Sequence, residues 1–513
     1  MLPIHPVLLA SFLWLSSYAA NRDELFFHDV MGAGLAITGA AMLLVGLVWS
    51  LTRNAGLSGV LALIIIIGVA YYGRVFDGLD AALGGTLPNG VFLVLWCLLF
   101  LAAIGVIAAK RSRFESLTRS LNLVSLALIA LPLGSLAIGA VGGQKIAEAQ
   151  AAPLPPVSVA EGPTRRPDIF YLVFDRYADN RTLKQLYGFD NGVFLEGLRQ
   201  RGFHVTDQAR ANYTKTAHSL ASSLNLQHLH GLSEQIGSGS GDWKPVYSLL
   251  RENRAAQFLK AQGYRYLHLG SWWQPTRDND LADESFDGTP PLPWLGISLN
   301  EFQWLLAKPS LLVRAADLLL GQSHDREREQ HQRVRKKFEK LAAARHQDAP
   351  LFVFAHMLVP HPPYVFHPDG RFKTAAEAQA LPERRNYLDQ LLYSNQQIEA
   401  LLDELLARDP QPIIILQADE GPFPARYSRD TEGFDWRQAS DEELKEKFGI
   451  LNAVYFPDRD YRGLQGDVTP VNTFRVLLNT YFGTQLPLLP DRSYSFASDS
   501  DLYSFFDVTD ALQ

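Results

Sequence analysis

The first 141 residues of the chain are almost entirely apolar, and nearly all of the charged residues follow them. Five apolar runs occupy this part of the chain, over residues 6–20, 30–51, 57–72, 90–109 and 121–141. Each run is close to the ~20 residues that cross a bilayer as a helix, although the first and third are short. The first run could instead be a signal peptide, but no basic residue precedes it. The sequence therefore predicts a bundle of about five transmembrane helices over residues 1–141.

The positive charges between these runs predict how the bundle is oriented. Basic residues are densest in the loop after the fourth run, which we expect to face the cytoplasm. They are Lys110, Arg111, Arg113 and Arg119. The loops at residues 21–29 and 74–89 are net acidic and are predicted to lie outside. Five spans from an inside N-terminus place the polar part of the chain outside the cytoplasm.

The polar part begins after a Pro- and Ala-rich stretch at residues 142–167, which we interpret as a linker. Residues 168–513 then form the predicted external domain. The net charge of −7 gives no polyanion-binding signature, so we expect no nucleic-acid partner. The single cysteine, Cys97, lies in an apolar run. This leaves the external domain without a disulfide, a cysteine-ligated zinc or a cysteine nucleophile.

Buried strands alternate with helical stretches throughout the external domain. Uninterrupted apolar runs of this kind are typical of strands covered on both faces of a parallel sheet. They are predicted at residues 168–174, 264–269, 351–355, 413–417 and 452–456, with a short strand at 203–205 and helices over 182–201, 301–320, 375–408 and 473–481. The alternation predicts a doubly wound α/β domain.

Polar residues with metal-binding chemistry follow three of these strands, namely Asp175, His356 and the pair Asp419 and Glu420. The carboxyl ends of parallel strands line the ligand crevice of an open α/β sheet. Adjacent buried acids are costly unless a cation neutralises them, and a divalent metal ion is one such cation. The alternative is that the acids merely begin a solvated loop.

A hydroxyl that could act as a nucleophile is found in the motif NYTKTAHSLASSLNL. Thr216 precedes a run with helical spacing, so it lies near a helix N-terminus, where amide donors and the helix dipole favour an anion. The common alternative for such a threonine is an N-cap. Together with the strand-end acids, Thr216 suggests a metal site next to an activatable nucleophile.

Two further groups are candidates for substrate contacts. His361, with His356, flanks a Pro-Pro turn at the same predicted sheet edge and could contact substrate or metal. Arg277 follows Trp272 and Trp273 and could reach a phosphate, although surface packing explains the tryptophans equally well.

Four motifs in this order give the chain a family resemblance: PDIFYLVFD, NYTKTAHSLASSLN, HMLVPHPPYVF and ILQADEGP. Together they resemble the sulfatase-like branch of the alkaline phosphatase superfamily. In overall plan the chain is similar to membrane-anchored members of that branch, lipoteichoic acid synthase and the phosphoethanolamine transferases. Those enzymes have five membrane helices followed by an external α/β domain. The resemblance thus implies a multi-pass protein of the bacterial cytoplasmic membrane with its C-terminal domain outside the cytoplasm.

The resemblance also implies roles for individual residues. Thr216 takes the place of the nucleophile that also binds the metal, and Asp175, Asp419 and Glu420 take the places of the other metal ligands. It gives His356 and His361 the role of contacting the transferred phosphoryl group or a second metal. Asn212 and Arg277 are further candidates for substrate binding.

Some residues depart from the family pattern. Glu420 stands where the family has a histidine, and the resulting all-oxygen set would favour one Mg²⁺, Mn²⁺ or Ca²⁺ ion over Zn²⁺. The same change could instead mark a site that has lost its chemistry. Arg176 stands where a glycine is common, and could crowd the site or bind phosphate. The Cys/Ser-x-Pro-x-Arg signature of true sulfatases is absent, which disfavours classical sulfate-ester hydrolysis.

The resemblance implies a membrane-anchored, metal-dependent transferase. It would move a phosphoglycerol- or phosphoethanolamine-type substituent from a membrane lipid donor to an envelope glycan or lipid through Thr216. One alternative is a phosphodiesterase or sulfuric ester hydrolase that uses water as the acceptor. The other is a catalytically inactive domain that binds an envelope glycan or lipid.

Overall fold

The structure, a computed structural model of the chain, describes residues 1–109, 114–143, 166–292, 296–320, 326–346, 348–464, 466 and 468–513. The chain forms two compact units. The first comprises Met1–Lys145 and Pro291–His324, and the second comprises Ile146–Pro290 and Asp325–Gln513. Most of the predicted linker, residues 144–165, lies outside the described residues, as do Lys110, Arg111 and Arg113 of the predicted cytoplasmic loop.

The first unit is helical, and its longest helices are almost uniformly apolar. Its helices are α1 (His5–Ala20), α2 (Phe27–Thr52), α3 (Ala55–Ala70), α4 (Tyr72–Ala82), α5 (Asn89–Ala109), α6 (Glu115–Gly143), α14 (Glu301–Ala307) and α15 (Leu311–Leu320). Three described helices, α2, α5 and α6, are long and apolar enough to cross a membrane. The bent pair α3 and α4, which meet at 48°, would make a fourth span.

The described residues thus give three to four spans where the sequence predicts about five. The difference lies in α1 and α3, which have 16 residues each and are shorter than a ~20-residue span. Contacts also assign the segment Pro291–His324 to this unit, although it interrupts the second unit in sequence. The Gly73 amide, for example, donates a 2.8 Å hydrogen bond to the Pro309 carbonyl. The single helix predicted over residues 301–320 is two helices, α14 and α15.

The second unit is built on a seven-stranded sheet in the order β2-β7-β6-β1-β5-β3-β4. The strands are β1 (Ile169–Phe174), β2 (His204–Val205), β3 (Arg265–Leu269), β4 (Glu284–Ser285), β5 (Leu351–Met357), β6 (Ile413–Gln417) and β7 (Asn452–Tyr455). A separate hairpin pairs β8 (Tyr494–Ser495) with β9 (Phe506–Asp507). All residues of β1, β5 and β6 are buried, as their unbroken apolar sequences predict.

Helices cover this sheet, which confirms the predicted α/β class. They are α7 (Asn180–Tyr187), α8 (Gly192–Gln200), α9 (Thr216–Asn225), α10 (His230–Ile236), α11 (Lys244–Arg251), α12 (Arg254–Ala261), α13 (Gln274–Arg277), α16 (Arg326–Ala343), α17 (Ala375–Gln379), α18 (Glu383–Leu406), α19 (Ala425–Arg429), α20 (Asp441–Phe448) and α21 (Pro470–Phe482). Short 3₁₀ helices occupy Trp436–Gln438, Arg462–Leu464 and Thr509–Leu512. The helix predicted over residues 375–408 is divided into α17 and α18 because Pro382 cannot continue a helix.

The central strand β1 pairs in parallel with β5 on one side and with β6 on the other. Val173 is in register with His356 of β5 and with Gln417 of β6. The three strands therefore end at the same edge of the sheet, with Asp175 after β1 and Asp419 two residues after β6. Strand β7 is antiparallel to β6, and the edge strand β2 is antiparallel to β7, so the sheet is mixed at that side.

The turn after β6 is locked against α20. The Gly421 amide donates a 2.7 Å hydrogen bond to the Lys447 carbonyl, and the Lys447 ammonium donates a 2.9 Å bond to the Gly421 carbonyl. A Cβ atom at residue 421 would lie only 2.3 Å from the Glu446 carbonyl oxygen. Only glycine fits this close approach, which brings α20 beside the end of β6.

We expect Gly421→Ala to lower the free energy of unfolding by about 1–3 kcal/mol, because the new methyl group forces α20 away from the turn. Thermal unfolding of the detergent-solubilised chain measures the change. Gly231→Ala is the matched control, since no atom lies within 4 Å of the place that its new methyl group would occupy. Equal stability of the two variants would contradict this account of the turn.

Candidate active site

Three buried side chains converge where β1, β5 and β6 end. Asp175, His356 and Asp419 each offer a ligand atom, and these atoms lie within 4.8 Å of one another. Nε2 of His356 lies 3.4 Å from Oδ2 of Asp175. All three residues are at most 3% exposed. The parallel register of the strands produces this convergence, although Asp175 and Asp419 lie more than two hundred positions apart in the chain.

Several polar atoms of this cluster have no hydrogen-bond partner among the described residues. They are Oδ1 of Asp175, Nε2 of His356 and both carboxylate oxygens of Asp419. Burial and the neighbouring Glu420 charge raise the pKa of Asp175 to about 7. Burial and the Asp175 and Glu420 charges raise the pKa of Asp419 well above its usual range. Unpartnered buried groups are costly, and here they point toward one another.

The hydrogen bonds around His356 are compatible with the tautomer that leaves Nε2 free to bind a metal. Nδ1 lies 2.8 Å from Oγ1 of Thr276, which in turn lies 3.0 Å from Oγ of Ser271. With Nδ1–H donating to Thr276, the Nε2 lone pair is directed at Asp175. Burial lowers the pKa of His356 to about 4, so the ring is neutral. A neutral imidazole whose other nitrogen is hydrogen-bonded is the usual state of a metal-ligating histidine.

The cluster therefore fits a divalent metal ion, with Asp175, His356 and Asp419 as ligands. A cation would satisfy the unpartnered oxygens and nitrogen and remove the repulsion between the two carboxylates. The predicted preference for Mg²⁺, Mn²⁺ or Ca²⁺ over Zn²⁺ rested on an all-oxygen ligand set. This donor set mixes carboxylate oxygen with imidazole nitrogen, so that reason no longer applies.

Glu420, which the sequence predicts to be a metal ligand, is not a member of this cluster. Its Oε1 lies 2.8 Å from Nζ of Lys447 and 3.4 Å from Nε of Arg176. Lys447 is completely buried, and its ammonium lies 3.3 Å from the centre of the Phe423 ring. Two cations thus lie beside Oε1 of Glu420, while its buried Oε2 has no hydrogen-bond partner among the described residues. His356, predicted to contact substrate or metal, lies in the cluster with Asp175 and Asp419.

Thr216 is the first residue of α9, and Lys215 occupies the N-cap position. The threonine is therefore not the cap that the alternative interpretation made it. Its side chain acts on Asp419, whose pKa it lowers against the larger effect of burial. The Lys215 ammonium contacts the Tyr427 hydroxyl and lies 3.2 Å from the Asp499 carboxylate. A hydroxyl thus lies beside the acid cluster at the start of a ten-residue helix.

His361 and Arg277, which the sequence also predicts to contact substrate, are not members of the cluster of Asp175, His356 and Asp419. Burial and the nearby charge of Arg176 lower the pKa of His361 well below its usual range, and its Nδ1 contacts the Pro362 carbonyl. Arg277 is paired with Asp287, with Nε 2.8 Å from Oδ2.

Asn212 has a structural role in this arrangement. Its side chain donates to Thr469 at 2.9 Å and to the Arg492 carbonyl at 2.8 Å, and it accepts from the Val471 amide at 2.8 Å. These bonds tie the segment before α9 to the C-terminal part of the unit.

Sequence reasoning did not identify Lys447, Phe423 or Thr276 as part of the site. Lys447 lies in the charged stretch DEELKEKF, which looks like a solvated helix. The helical spacing nevertheless indicates that Lys447 is buried, because it follows Leu444 by three residues and lies on the same buried face. Thr276 carries no comparable signal, since its role depends on the pairing of β3 with β5.

The comparisons with known proteins assign the chain to a family. The family model described as Sulfatase matches residues 167–443, which is more than half of the chain. The chain therefore belongs to the sulfatase family. It is a sulfatase-like enzyme whose first unit contains helices apolar and long enough to span a membrane. No curated protein matches the chain.

Solved structures similar to the chain come from several bacteria. The C-terminal periplasmic domain of EcEptC from Escherichia coli is 14% identical over 70% of this chain and 96% of its own, with a TM-score of 0.43. A protein in the alkaline phosphatase superfamily from Vibrio parahaemolyticus is 15% identical over 68% of this chain and 79% of its own, with a TM-score of 0.40. The lipoteichoic acid synthase LtaP from Listeria monocytogenes is 14% identical over 69% of this chain and 84% of its own, with a TM-score of 0.40.

We expect the affinity for a divalent cation to rise with pH up to about 7, because metal must displace protons from Asp175 and Asp419. Below that pH, each proton displaced weakens binding by up to about tenfold per pH unit. Titration of Mn²⁺ or Zn²⁺ into the detergent-solubilised chain at several pH values measures this slope. Asp175→Asn should abolish tight binding, whereas the exposed Asp369→Asn should not. Affinity that is independent of pH would contradict the assignment.

Removing the Lys447 ammonium should leave the buried Glu420 carboxylate only partly neutralised, by Arg176 at 3.4 Å. Lys447→Met is expected to destabilise the chain by about 3–5 kcal/mol in thermal unfolding. Adding Glu420→Gln should recover much of that loss, because no uncompensated charge then remains. Lys445→Met on the same helix is the control. A double variant no more stable than Lys447→Met alone would show that the ion pair is not the cause.

Proposed function

We propose that the protein is a membrane-anchored, metal-dependent transferase. It takes a phospho-substituent of the phosphoglycerol or phosphoethanolamine type from a membrane lipid donor. It passes this group to an envelope glycan or lipid through a covalent Thr216 intermediate. The observation that carries the proposal is the position of Thr216, whose hydroxyl acts on Asp419 at the start of α9 within a sulfatase-family domain.

The residues present can support nucleophilic attack. A divalent cation bound by Asp175, His356 and Asp419 would supply a Lewis acid that lowers the pKa of a hydroxyl and neutralises phosphoryl oxygens. Thr216 Oγ would form a bond to phosphorus while the donor's ester P–O bond breaks. The threonine proton would pass to the neighbouring Asp419 carboxylate and from there to the oxygen of the departing alcohol or lipid. An acceptor hydroxyl would then attack the same phosphorus as the bond from phosphorus to Thr216 Oγ breaks, and its proton would return to Thr216 by the same route.

The charges near Thr216 suit an anionic intermediate. The N-terminal amides of α9 and the positive end of its dipole face the position where negative charge develops. The Lys215 ammonium stays charged, because Asp499 and Tyr427 raise its pKa despite burial. These groups stabilise charge without moving, which is the condition for electrostatic stabilisation of a transition state.

A lipid donor suits a chain with apolar helices in its first unit. Confining enzyme and donor to the same bilayer raises their effective concentration. We propose the bacterial cytoplasmic membrane as the location, with the sulfatase-family unit outside the cytoplasm. The proposed orientation rests on the basic residues of the loop after the fourth apolar run.

We expect Thr216→Ala to lower turnover of phosphatidylglycerol or phosphatidylethanolamine in mixed vesicles by at least about a thousandfold, because the covalent step is lost. Thr216→Ser should retain part of the activity. Mass spectrometry of the native chain should detect a head-group phosphate on the peptide that contains Thr216. Unchanged turnover in Thr216→Ala would exclude the threonine mechanism.

The products distinguish transfer from hydrolysis. A modified glycan or lipid acceptor supports transfer, whereas free head-group phosphate alone supports the hydrolase alternative. If the native protein binds metal but forms neither product, the result would instead support an inactive binding domain.

A further inference from the structure

Arg176 occupies an unusual backbone conformation directly after the metal-site residue Asp175. Its φ is +61°, in the left-handed region that side chains other than glycine rarely adopt. Tyr387 on α18 stabilises this turn, because its hydroxyl donates to the Arg176 carbonyl at 2.8 Å and accepts from the Ala178 amide at 3.0 Å. A strained residue held in this way at a functional site suggests that its side chain has a role there.

The guanidinium of Arg176 is fixed by two contacts. Its Cζ lies 4.4 Å from the centre of the Phe423 ring, a distance typical of cation–π stacking. Its Nε lies 3.4 Å from Oε1 of Glu420 and 4.0 Å from Oδ1 of Asp175, without a hydrogen bond to either. The side chain is 21% exposed, so the guanidinium is held at the mouth of the crevice and not enclosed within it.

The two terminal amino groups of Arg176 remain available. Nε is the guanidinium atom closest to both carboxylates, so Nη1 and Nη2 lie farther from them. Within the part of the chain that the structure describes, neither terminal group has a hydrogen-bond partner. The positive charge acts on His361 and Tyr364, which places these residues near the same guanidinium. Two parallel N–H donors in this arrangement match two oxygens of a tetrahedral anion.

The charges around the crevice make anion binding depend on the metal. Metal binding displaces the protons that Asp175 and Asp419 hold, so three carboxylates then lie beside two cationic side chains, Arg176 and Lys447. The divalent ion and these two side chains together outweigh the three carboxylates, so the metal-loaded cluster is net positive. An anionic group should bind more tightly once the cation is present, because the ion is then the largest local charge.

We propose that Arg176 binds oxygens of the tetrahedral phosphate or sulfate group of the substrate through Nη1 and Nη2. This inference rests on the proposed function for the location of the reacting group, but it does not require Thr216 to be the nucleophile. The shared ligand chemistry is a tetrahedral oxyanion, whether from a lipid head group or from a sulfated glycan.

The test measures binding of inorganic phosphate and of sulfate to the full chain in detergent by calorimetry, with and without Mn²⁺. Native protein loaded with Mn²⁺ should bind at least one of these anions, and removal of Mn²⁺ should weaken that binding. Arg176→Gly and Arg176→Asn should lower the anion affinity by about tenfold or more, because both variants lose the two parallel N–H donors and the positive charge of the guanidinium. Arg176→Lys should fall between them and native protein. Arg437→Asn, which removes an exposed arginine elsewhere, is the control.

Stability separates this role from a structural one. Glycine and asparagine tolerate a positive φ, which offsets the loss of the Arg176 contacts with Glu420 and Phe423. Both variants should therefore unfold close to the native temperature, and Mn²⁺ affinity should be unchanged or higher. The proposal is overturned if both variants bind phosphate and sulfate within about twofold of native protein. It is also overturned if Mn²⁺-loaded native protein binds neither anion.

Thr216→Ala distinguishes this inference from the proposed function. If Thr216→Ala keeps its turnover while Arg176→Gly loses anion binding, the threonine mechanism fails and the role of Arg176 stands. If Thr216→Ala loses turnover while Arg176→Gly binds anions like native protein, the role of Arg176 fails and the threonine mechanism stands. The anion that native protein binds more tightly identifies the ester class to test first as substrate.

Discussion

The site depends on the parallel pairing of β1 with β5 and β6. This pairing forces Asp175, His356 and Asp419 together although they are distant in sequence. Two buried carboxylates that share one small space repel each other, and Oδ1 of Asp175 and both carboxylate oxygens of Asp419 have no hydrogen-bond partner among the described residues. A divalent cation would remove this repulsion. The strand order thus accounts for the location of the candidate metal site.

The strand ends could be predicted from the sequence because a completely buried parallel strand has a distinctive composition. Runs such as IIILQ and LFVFA gave the strands, and the acids that follow them gave the crevice. The partners of each side chain could not be predicted in the same way. Glu420 looked like a ligand since it follows Asp419, but its environment is set by Lys447, which arrives from α20. Long-range packing of this kind leaves little trace in a single sequence.

In the first unit too, the sequence predicts some features of the structure and not others. Apolar composition predicts that helices form, and α2, α5 and α6 are long enough to span a bilayer. Composition does not predict where a helix bends, and the 48° angle between α3 and α4 changes the number of spans. The assignment of Pro291–His324 to the first unit was equally inaccessible, because it depends on contacts between segments that are far apart in the chain.

The exchange of histidine for Glu420 changes the electrostatics of the site without removing its metal-binding potential. His356 supplies a nitrogen ligand, while Glu420 positions Arg176 and Lys447 as fixed positive charges. The most direct test of this account is anomalous diffraction from crystals of the chain grown with Mn²⁺. We expect one anomalous peak at about 2.0–2.3 Å from Asp175, Nε2 of His356 and Asp419, with the Glu420–Lys447 pair intact. A peak bound by Glu420 in place of His356, or no peak between the strand ends, would contradict the account.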